Sequence, residues 1–416
     1  MSWRPRRFCL VTTFYPPATF GGDGVFVRHL AHELVRRGHE VEVVYNADAY
    51  RALGGPPGPA LEEPPGLTVH ALSAGLGRLG PLAIQQSGRP LGLGRELRRI
   101  LGRGFDVVHF HNVSLVGGPG VLGYGGGVKL YTAHEAWLVC PTHTLFRFNR
   151  EPCERPRCLA CTLAYRRPPQ LWRLGGRLRR ALRHIDAFIA PSRSSIELHH
   201  RRGLDLPFVE IPNFVPDDGA GDDDRPADST ARPYVLFAGR LERLKGAATL
   251  LPVFARWPEG ELVVAGDGSE APALREAAGA NVRFVGHRTA AELARLYRGA
   301  AAVVVPSLCW EVFPLVALEA LRAGTPIVVP RRGALPDIVE RSGGGLVYDD
   351  EAGLERALRT LVADRALAAR LGAAGRAGFR TEWSADAHFE RYFGLIERLE
   401  AAGAQRRRAR QSASRL

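Results

Sequence analysis

Two carboxylates, Glu311 and Glu319, lie in an almost wholly apolar stretch, SLCWEVFPLVALEALRAGTPIVV, with seven residues and no other charge between them. Pro314 also lies between them and suits the first turn of a helix, where its missing N–H group costs nothing. The spacing predicts Glu311 in a loop and Glu319 in the second turn of the following helix. The acids can then hold opposite ends of one ligand. The alternatives are exposure of Glu311 and a salt bridge from Glu319 to an arginine.

The start of this helix offers a second kind of chemistry. The free N–H groups of Phe313, Leu315 and Val316 form a site for an anion such as phosphate. Acids on either side of a phosphate suit a ligand with hydroxyl groups at both ends and phosphate in the middle. A nucleotide-sugar has this layout.

A pair of cations in another loop supplies what a phosphate needs. Arg240 and Lys245 lie in GRLERLKG, which follows a predicted strand, and Lys245 is one of only two lysines in the chain. The alternative is a cation pair on the surface.

Glycines near the amino terminus lie between a predicted strand and a predicted helix. In FYPPATFGGDG, Gly21 and Gly22 allow a ligand to approach the backbone, although a plain turn is the alternative. The loop fits G-x-G-x-x-G poorly, because the third glycine would fall at Val27. A nicotinamide cofactor is therefore disfavoured.

Three histidines end predicted strands. His134 in TAHE is expected to face a cleft, with a structural role as the alternative. His109 and His111 in DVVHFH are interpreted either as lining the cleft or as structural. Histidine is the side chain best suited to gain or lose a proton near neutral pH.

Four cysteines are concentrated in one segment that resembles an insertion. Cys140, Cys153, Cys158 and Cys161 have the spacing C-x12-C-x4-C-x2-C. In an intracellular chain such a cluster more often binds metal than forms disulfides, and we predict structural zinc first and an iron–sulfur cluster second. Unligated thiols are the alternative, because only the last pair has a common metal-binding spacing.

The formal net charge is +13, and it is spread along the chain. We predict no nucleic-acid partner. One segment, residues 166–202, is more strongly basic: it holds ten arginines against two acids. The apolar residues between them are Leu171, Trp172, Leu174, Leu178 and Leu182. Such a pattern favours contact with an anionic membrane surface or an acidic acceptor. A solvated helix face is the alternative.

The location of the protein is predicted from what the sequence lacks. No apolar run reaches the roughly 18 residues of a membrane span. The start, MSWRPRRFCLVTTFYPP, lacks the long apolar region of a signal peptide. We therefore expect a cytoplasmic protein, with contact at the inner membrane face as an additional hypothesis.

The elements that position these residues follow one plan twice. Strand, glycine loop, helix and strand open the chain, and the same order begins again at Tyr234. The fold class is therefore α/β, with two Rossmann-like doubly wound domains facing across a cleft. The predicted strands are Phe8–Thr13, VEVVY, Leu67–Leu72, Asp106–Phe110, Val128–Thr132, Ala187–Ala190, Phe208–Ile211, Tyr234–Ala238, ELVVAG, NVRFVG, AAVVVP and PIVVP.

Composition sets the predicted domain boundaries. Residues 1–213 form the first domain, with the cysteine-bearing insertion at about 140–165, and residues 214–233 form an acidic linker. Residues 234–383 form the second domain. A helix at 384–402 is expected to pack toward the first domain, and a basic tail, 403–416, is expected to be disordered.

The E-x7-E arrangement closely resembles the donor-site signature of family 4 retaining glycosyltransferases, which have the two-domain B-type glycosyltransferase fold. Further motifs occur in the family's order along nearly the whole chain. They are FYPP…GG, FDVVHFH, TAHE, APS, IPN, FAGRL…KG, AGDG and PDIV.

The resemblance implies a role for each matching residue. Glu319 would bind the ribose hydroxyls of a nucleotide-diphosphate sugar, and Glu311 the hydroxyls of the sugar. Arg240 and Lys245 would hold the diphosphate and stabilise its growing charge. His134 would lie near the reacting carbon. The two loop glycines described above would meet the diphosphate, and the backbone around Gly266 in AGDG would contribute to donor binding.

Departures from the family pattern concern the phosphate contacts. Val312 and Pro314 replace glycines that the family often has, so Pro314 removes one N–H donor. The implied reaction transfers a sugar to an acceptor hydroxyl with retention and needs no catalytic metal. The acceptor is a glycan, a lipid-linked glycan or a small molecule. The rival hypotheses are a nucleotide-sugar epimerase or hydrolase on the same fold, and a non-catalytic protein that binds polyanion or membrane.

Overall fold

The computed structural model describes residues 4–56, 58–59, 61–217 and 233–413, with side chains up to residue 405. These residues form two compact units. Unit 1 comprises Met1–His143, Arg166–Ile211 and His388–Leu416, and unit 2 comprises Thr144–Tyr165 and Pro212–Ala387. Within the described residues, no helix is both long enough and apolar enough to cross a membrane.

The strands are short and mostly buried. They are β1 (Arg7–Val11), β2 (Glu40–Asn46), β3 (Leu67–Leu72), β4 (Val107–Phe110), β5 (Val128–Thr132), β6 (Phe146–Arg147), β7 (Glu151–Pro152), β8 (Ala187–Ala190), β9 (Phe208–Glu210), β10 (Tyr234–Ala238), β11 (Glu261–Ala265), β12 (Val282–Gly286), β13 (Ala302–Val304), β14 (Ile327–Pro330) and β15 (Gly345–Tyr348).

The helices connect these strands and cover the sheets. They are α1 (Gly22–Arg36), α2 (Ala47–Ala52), α3 (Leu79–Ser87), α4 (Gly94–Leu101), α5 (Cys158–Ala164), α6 (Arg177–Leu182), α7 (Arg193–Arg201), α8 (Leu250–Ala255), α9 (Ala271–Ala277), α10 (Ala290–Gly299), α11 (Leu315–Arg322), α12 (Leu335–Ser342), α13 (Glu351–Ala363), α14 (Arg365–Glu382) and α15 (Ala385–Ala413).

Unit 1 is built on a seven-stranded sheet in the order β3-β2-β1-β4-β5-β8-β9. All its strand pairs are parallel. The central strands are continuous apolar runs, which is typical of a sheet covered by helices on both faces. Strands β2 and β3 are added on one side of β1, whereas β4 and the following strands are added on its other side, so the order reverses between β1 and β4. The loops after these two strands therefore border the crevice where open α/β sheets bind ligands.

Unit 2 repeats the plan with a six-stranded parallel sheet in the order β12-β11-β10-β13-β14-β15. Here the reversal lies between β10 and β13, so the loops after these strands border the corresponding crevice. Both units thus have the doubly wound architecture that the sequence predicts.

The cysteine-bearing segment differs from the prediction. We expected residues 140–165 within the first domain, but Thr144–Tyr165 clusters with unit 2. The segment contains the short antiparallel pair β6–β7, and Phe146 of β6 is buried in a small apolar cluster with Leu244 and Cys309 of unit 2. This packing explains why the segment belongs to unit 2.

The carboxyl-terminal segment also differs from its prediction. Helix α15 continues to Ala413, where a disordered tail was expected from residue 403. Alanine, glutamine and arginine are good helix formers and sustain the helix beyond its apolar stripe. Within unit 1, Tyr392 of α15 stacks on Phe8 at 6.3 Å between ring centroids, and Glu400 forms an ion pair with Arg6. Most of the predicted linker, 214–233, lies outside the described residues.

Candidate active site

Glycines allow the loops after β10 and β11 to come into close contact in unit 2. Gly266 has a φ of 137°, and a Cβ atom there would lie 1.9 Å from the carbonyl oxygen of Gly239. Gly268 is as closely packed against Leu241, whose N–H group donates to the carbonyl of Asp267 over 2.8 Å. The close contact at Gly266, a predicted donor-site residue, therefore packs the loop after β11 against the loop that carries Arg240.

A second close approach brings Lys245 to the loop after β13. Gly246 has a φ of 75°, and a Cβ atom there would lie 2.0 Å from the carbonyl oxygen of Pro306. The N–H group of Leu308 donates to the carbonyl of Leu244 over 2.9 Å. These contacts place the Lys245 ammonium 2.7 Å from Oε1 of Glu311.

Glu311 is held in place from several sides. Its side-chain Oε1 accepts the Ser307 hydroxyl over 2.6 Å in addition to the bond from Lys245. Its backbone carbonyl accepts the N–H group of Ala334 over 2.9 Å, and Gly333 packs so closely that a Cβ atom would clash with that carbonyl. The longer contact from the Cys309 thiol, at 3.9 Å, also goes to Oε1. Among the described residues, these side-chain bonds leave Oε2 as the oxygen to meet a ligand.

The Lys245–Glu311 pair is charged although it is largely buried. Burial acts to raise the pKa of Glu311, but the ammonium of Lys245 outweighs it, and the net shift of this pKa is downward. Burial acts to lower the pKa of Lys245, but the carboxylate outweighs it, and that pKa rises. Each charge therefore keeps the other ionised at neutral pH.

Glu319 lies in the second turn of α11, as the sequence predicts. Its Oε2 accepts the hydroxyl of Tyr297, on α10, over 2.7 Å. Burial and the nearby carboxylate raise the pKa of Tyr297, so its hydroxyl remains a donor. Tyr297 and Ser307 were missed by sequence reasoning, because their roles depend on which helix and loop pack against the two acids.

The start of α11 differs in detail from its prediction. Pro314 is the N-cap residue, with φ −79° and ψ 116°, rather than a residue of the first turn. Phe313 therefore precedes the helix and is buried in the apolar core of unit 2. Leu315 and Val316 are the first helical residues, and no side-chain cap is recorded among the described residues. Their N–H groups remain the donors that suit an anion.

Arg240 is the more accessible of the two predicted cations. Its guanidinium lies 2.7 Å from Oε1 of Glu242, and its side chain is 43% exposed. Its positive charge contributes to the lowered pKa of Glu311, after the larger effects of burial, Lys245 and Ser307. The structure thus brings Arg240, Lys245 and Glu311 together at the reversal point of the sheet.

The corresponding crevice of unit 1 begins at the start of α1. Gly21 is the N-cap residue in extended conformation, and Gly22 opens the helix. The position that requires glycine is Gly24, where a Cβ atom would lie 2.4 Å from the Thr19 hydroxyl. Asp23 accepts the side-chain amide of Asn112 over 3.1 Å. Burial and then the charge of Glu135 raise the pKa of Asp23.

His134 belongs to a chain of stacked rings in unit 1. Its Nε2 lies 2.9 Å from Nδ1 of His111, and the ring centroids of His109 and His111 are 4.0 Å apart. His109 also contacts the hydroxyls of Thr132 and Tyr392, at 2.8 and 2.9 Å. His109 and His111 are therefore structural, while the partly exposed ring of His134 is the one that can meet a ligand.

The histidines are neutral at physiological pH. Burial, followed by the charge of His388, lowers the pKa of His134 to about 3. The pKa values of His109 and His111 are also lowered well below the ordinary value, with burial as the largest cause. His388, on α15, was missed by sequence reasoning because it lies far along the chain from the other rings.

The cysteines do not form a metal site in the structure. Cys140 and Cys161 are buried, Cys153 is half-buried and Cys158 is exposed. Among the described residues, no three His, Cys, Asp or Glu side chains lie in a group that could hold a metal ion. Cys161 instead accepts the N–H group of Phe148 over 3.4 Å. Metal ligation by Cys140, Cys153, Cys158 and Cys161 therefore stays a prediction without support from this geometry.

Two doubly wound units, with an acid and a cation paired at the reversal point of the second, are the architecture of the B-type glycosyltransferase fold. The model described as Glycosyltransferase Family 4 matches residues 20–218, and the model described as Glycosyl transferases group 1 matches residues 232–364. The chain belongs to glycosyltransferase family 4. The predicted family, fold and enzyme class are confirmed.

Curated relatives match over most of their length. The D-inositol 3-phosphate glycosyltransferase of Xylanimonas cellulosilytica is 32% identical over an alignment of 401 residues that covers 86% of this chain and 88% of that protein. The protein of the same name from Thermobifida fusca is 30% identical over 396 residues, covering 85% of this chain and 83% of that protein.

Solved structures share the fold at lower identity. Sucrose-phosphate synthase from Thermosynechococcus elongatus has a TM-score of 0.71 and 24% identity, covering 95% of this chain and all of that one (100%). Anabaena HepE, solved in complex with UDP, has a TM-score of 0.67 and 18% identity, covering 95% of this chain and 100% of that one.

Proposed function

We propose that this glycosyltransferase moves a sugar from a nucleotide-diphosphate sugar to an acceptor hydroxyl, with retention of configuration and without a catalytic metal. The observation that carries the proposal is the arrangement in unit 2. The ionised Lys245–Glu311 pair and the Tyr297–Glu319 pair flank the open start of α11. Two acids for hydroxyls and one phosphate site between them match the layout of such a donor.

Glu319 is the proposed ribose ligand. A carboxylate accepts hydrogen bonds from two neighbouring hydroxyls, and bonds to charged acceptors are stronger than neutral ones. The Tyr297 hydroxyl occupies Oε2 over 2.7 Å and so fixes the plane of the carboxylate before the donor arrives. Such preorganisation lowers the entropy cost of binding.

Lys245 and Arg240 are the proposed diphosphate ligands. Before the donor binds, the ammonium of Lys245 is neutralised by Glu311 at 2.7 Å, which limits the cost of burying it. A bound diphosphate would share that ammonium, and Oε2 of Glu311 would accept sugar hydroxyls. The N–H groups of Leu315 and Val316 and the guanidinium of Arg240 would add to the stabilisation of the leaving diphosphate.

Retention would follow from departure and attack on the same face of the sugar. In this scheme a phosphate oxygen of the leaving diphosphate takes the proton from the acceptor hydroxyl. Because the pKa of His134 is about 3, this ring would act as a neutral hydrogen-bonding group rather than as an acid.

The proposed acceptor is a glycan, a lipid-linked glycan or a small polyol in polysaccharide or glycoconjugate synthesis. The relatives named as D-inositol 3-phosphate glycosyltransferases support including an inositol phosphate in the first acceptor screen. We further propose that the enzyme works at an anionic membrane surface, for which the arginines of residues 166–202 supply the positive charge.

Calorimetric binding of UDP, GDP, ADP and dTDP to the purified protein tests the donor proposal. One nucleotide should bind well above the others, and Glu319→Ala should lose it. Glu210→Ala, a carboxylate in unit 1, is the matched control and should bind like the wild type. If no nucleotide binds, the donor assignment is wrong. Once the donor is known, the anomeric configuration of the product by NMR tests retention.

A metal analysis tests the cysteine hypothesis separately. Mass spectrometry of the protein purified without chelator should detect about one zinc or iron–sulfur cluster per chain if Cys140, Cys153, Cys158 and Cys161 bind it. Absence of both would rule out metal binding by these cysteines.

A further inference from the structure

Unit 1 carries a group of exposed leucines on two neighbouring segments. Leu79, at the start of α3, is 68% exposed, and Leu171 and Leu174, in a 3-10 turn at Leu171–Gly175, are 67% and 78% exposed. Leu82, one turn further along α3, is 40% exposed. Single exposed leucines are ordinary, but a group of them indicates a contact surface.

These two segments are fixed to each other by three hydrogen bonds. The indole N–H group of Trp172 donates to the carbonyl of Gln85 over 2.8 Å, and the side-chain amide of Gln86 donates to Pro168 over 3.2 Å. Arg177 donates to the carbonyl of Ser87 over 2.6 Å. Trp172 itself is buried, so it anchors the surface rather than forming part of it.

A basic cavity of about 330 Å³ is lined by Gly88, directly after α3, and by Arg177, two residues after the turn that carries Leu171 and Leu174. Arg89, Arg177, Arg180 and His184 line it together with glycines and a proline from residues 88–123, and no carboxylate of the described residues is among its lining. The three stretches of chain that supply these residues, 64–95, 107–134 and 166–185, contain no aspartate or glutamate. These stretches therefore supply no carboxylate that would neutralise the arginines, although one N–H group of Arg177 is engaged by Ser87.

We propose that this surface, formed by the four leucines and the basic cavity, docks the protein on an anionic phospholipid membrane. The headgroup phosphate would enter the cavity, because guanidinium groups bind phosphate through paired N–H donors. The leucines would enter the interface between headgroups and acyl chains. A free phosphate would satisfy the arginines but leave the leucines in water, so the combination favours a lipid surface.

This inference rests on the proposed function only for its biological purpose, since a lipid-linked acceptor would be presented at such a surface. The docking surface is specified independently of the donor site. It differs from the sequence-based hypothesis in two respects. Trp172 and Leu182 are buried, while Leu79 and Leu82 of α3, which the basic segment does not contain, complete the surface.

Vesicle sedimentation tests the proposal with the full-length protein. Wild-type protein should bind vesicles of phosphatidylcholine with about one-third phosphatidylglycerol at least tenfold more tightly than vesicles of phosphatidylcholine alone. Binding should weaken as salt is raised, because the headgroup charges are screened. Equal binding to both vesicles would overturn the proposal.

Two variants separate the contributions of charge and apolar surface. Arg89→Gln/Arg180→Gln should weaken binding to the anionic vesicles roughly tenfold to thirtyfold, since each basic residue near the surface contributes several-fold. Arg365→Gln/Arg370→Gln in unit 2 removes the same net charge and should have little effect. An equal loss in both variants would show non-specific attraction and overturn the docking surface.

Leu171→Ser/Leu174→Ser should also weaken vesicle binding about tenfold, whereas Leu159→Ser/Leu163→Ser, at leucines 57% and 61% exposed on α5, should not. If only the arginine variant loses binding, and soluble glycerophosphate competes fully with the vesicles, the cavity binds free phosphates and the membrane proposal fails. Calorimetric nucleotide binding should be unchanged in all four variants, so failure of docking and failure of the donor site are distinguishable.

Discussion

The reversal points of the two sheets have the same topology but opposite electrostatics. In unit 2 the loop after β10 supplies Lys245 and the loop after β13 supplies Glu311, and the two charges meet at 2.7 Å. In unit 1 the loop after β4, at the reversal point, supplies His111, and the loop after the neighbouring strand β5 supplies His134. Ring nitrogens of these two neutral histidines lie 2.9 Å apart. The crevice of unit 2 thus holds a buried ion pair, whereas the crevice of unit 1 holds histidines in their neutral form.

The difference follows from the available partners. A buried charge is stable when an opposite charge compensates its lost hydration, as for Lys245 and Glu311. The recorded influences on His134 are burial and another histidine, both of which disfavour a proton. Unit 2 can therefore stabilise charge on a departing diphosphate, whereas unit 1 can offer neutral hydrogen-bonding groups.

Removing one member of the charged pair should have the largest effect. Lys245→Ala leaves Glu311 buried without its cation, which should cost about 2 kcal/mol of unfolding free energy. The expected loss is smaller than for a fully buried pair, because the side chain of Lys245 is 27% exposed. It should also lower kcat/KM about a hundredfold to a thousandfold, since a diphosphate ligand is lost. Urea unfolding and steady-state kinetics measure the two effects.

A double variant distinguishes stability from catalysis. Lys245→Met/Glu311→Gln removes both charges, so it should recover most of the lost stability but none of the activity. If the double variant regains activity, Lys245 acts by neutralising Glu311 and not by binding the donor.

Glu319 should show a smaller loss that appears in donor binding. Glu319→Ala removes the acceptor for the proposed ribose hydroxyls and should weaken nucleotide affinity roughly tenfold to a hundredfold. Glu319→Gln keeps one oxygen and should lie between this variant and the wild type. Calorimetry with the preferred nucleotide measures both. Unchanged affinity in Glu319→Ala would move the ribose site elsewhere.

Tyr297 should have a still smaller effect through the orientation of Glu319. Tyr297→Phe removes the bond to Oε2 and should raise KM for the donor about fivefold to tenfold, with little change in kcat. Tyr234→Phe is a matched control, because its hydroxyl donates over 2.8 Å to the carbonyl of Leu296 on the same helix. If both variants raise KM equally, the effect is on α10 and not on Glu319.

Much of the fold could be predicted from local patterns. The strands β3, β5 and β10 have the bounds that their apolar runs predict, because flanking loops and glycines mark both ends. β15 was missed, because GLVY is short, begins with glycine and is only partly buried. The hairpin β6–β7 was missed because each strand has two residues.

The candidate site was predictable where residue type carried the signal. Glu311, Glu319 and Lys245 stand out because charges are rare in such apolar surroundings, and the structure brings Glu311 and Lys245 together. Tyr297 and Ser307 could not be found in this way, since tyrosine and serine occur in many structural roles. Their partners are set by how α10 and the loop after β13 pack, which a single sequence does not specify.

A further effect is expected in the acid stability of unit 1. The pKa of His134 is about 3 in the folded protein, against an ordinary value of about 6.5 in the unfolded chain. Between these values the unfolded chain binds a proton that the folded ring does not, so the unfolding free energy falls as pH is lowered. Above pH 6.5 both states are neutral and the contribution is constant.

His134→Gln removes that proton difference and should reduce the pH dependence of stability between about pH 6 and pH 4 by roughly 1.4 kcal/mol per pH unit. Urea unfolding at a series of pH values measures the slope, and the wild type at pH 7 provides the reference for any general loss of stability. An unchanged slope would mean that the folded protein protonates this ring as easily as the unfolded chain does. The contrast between a charged crevice in unit 2 and a neutral one in unit 1 would then not hold at His134.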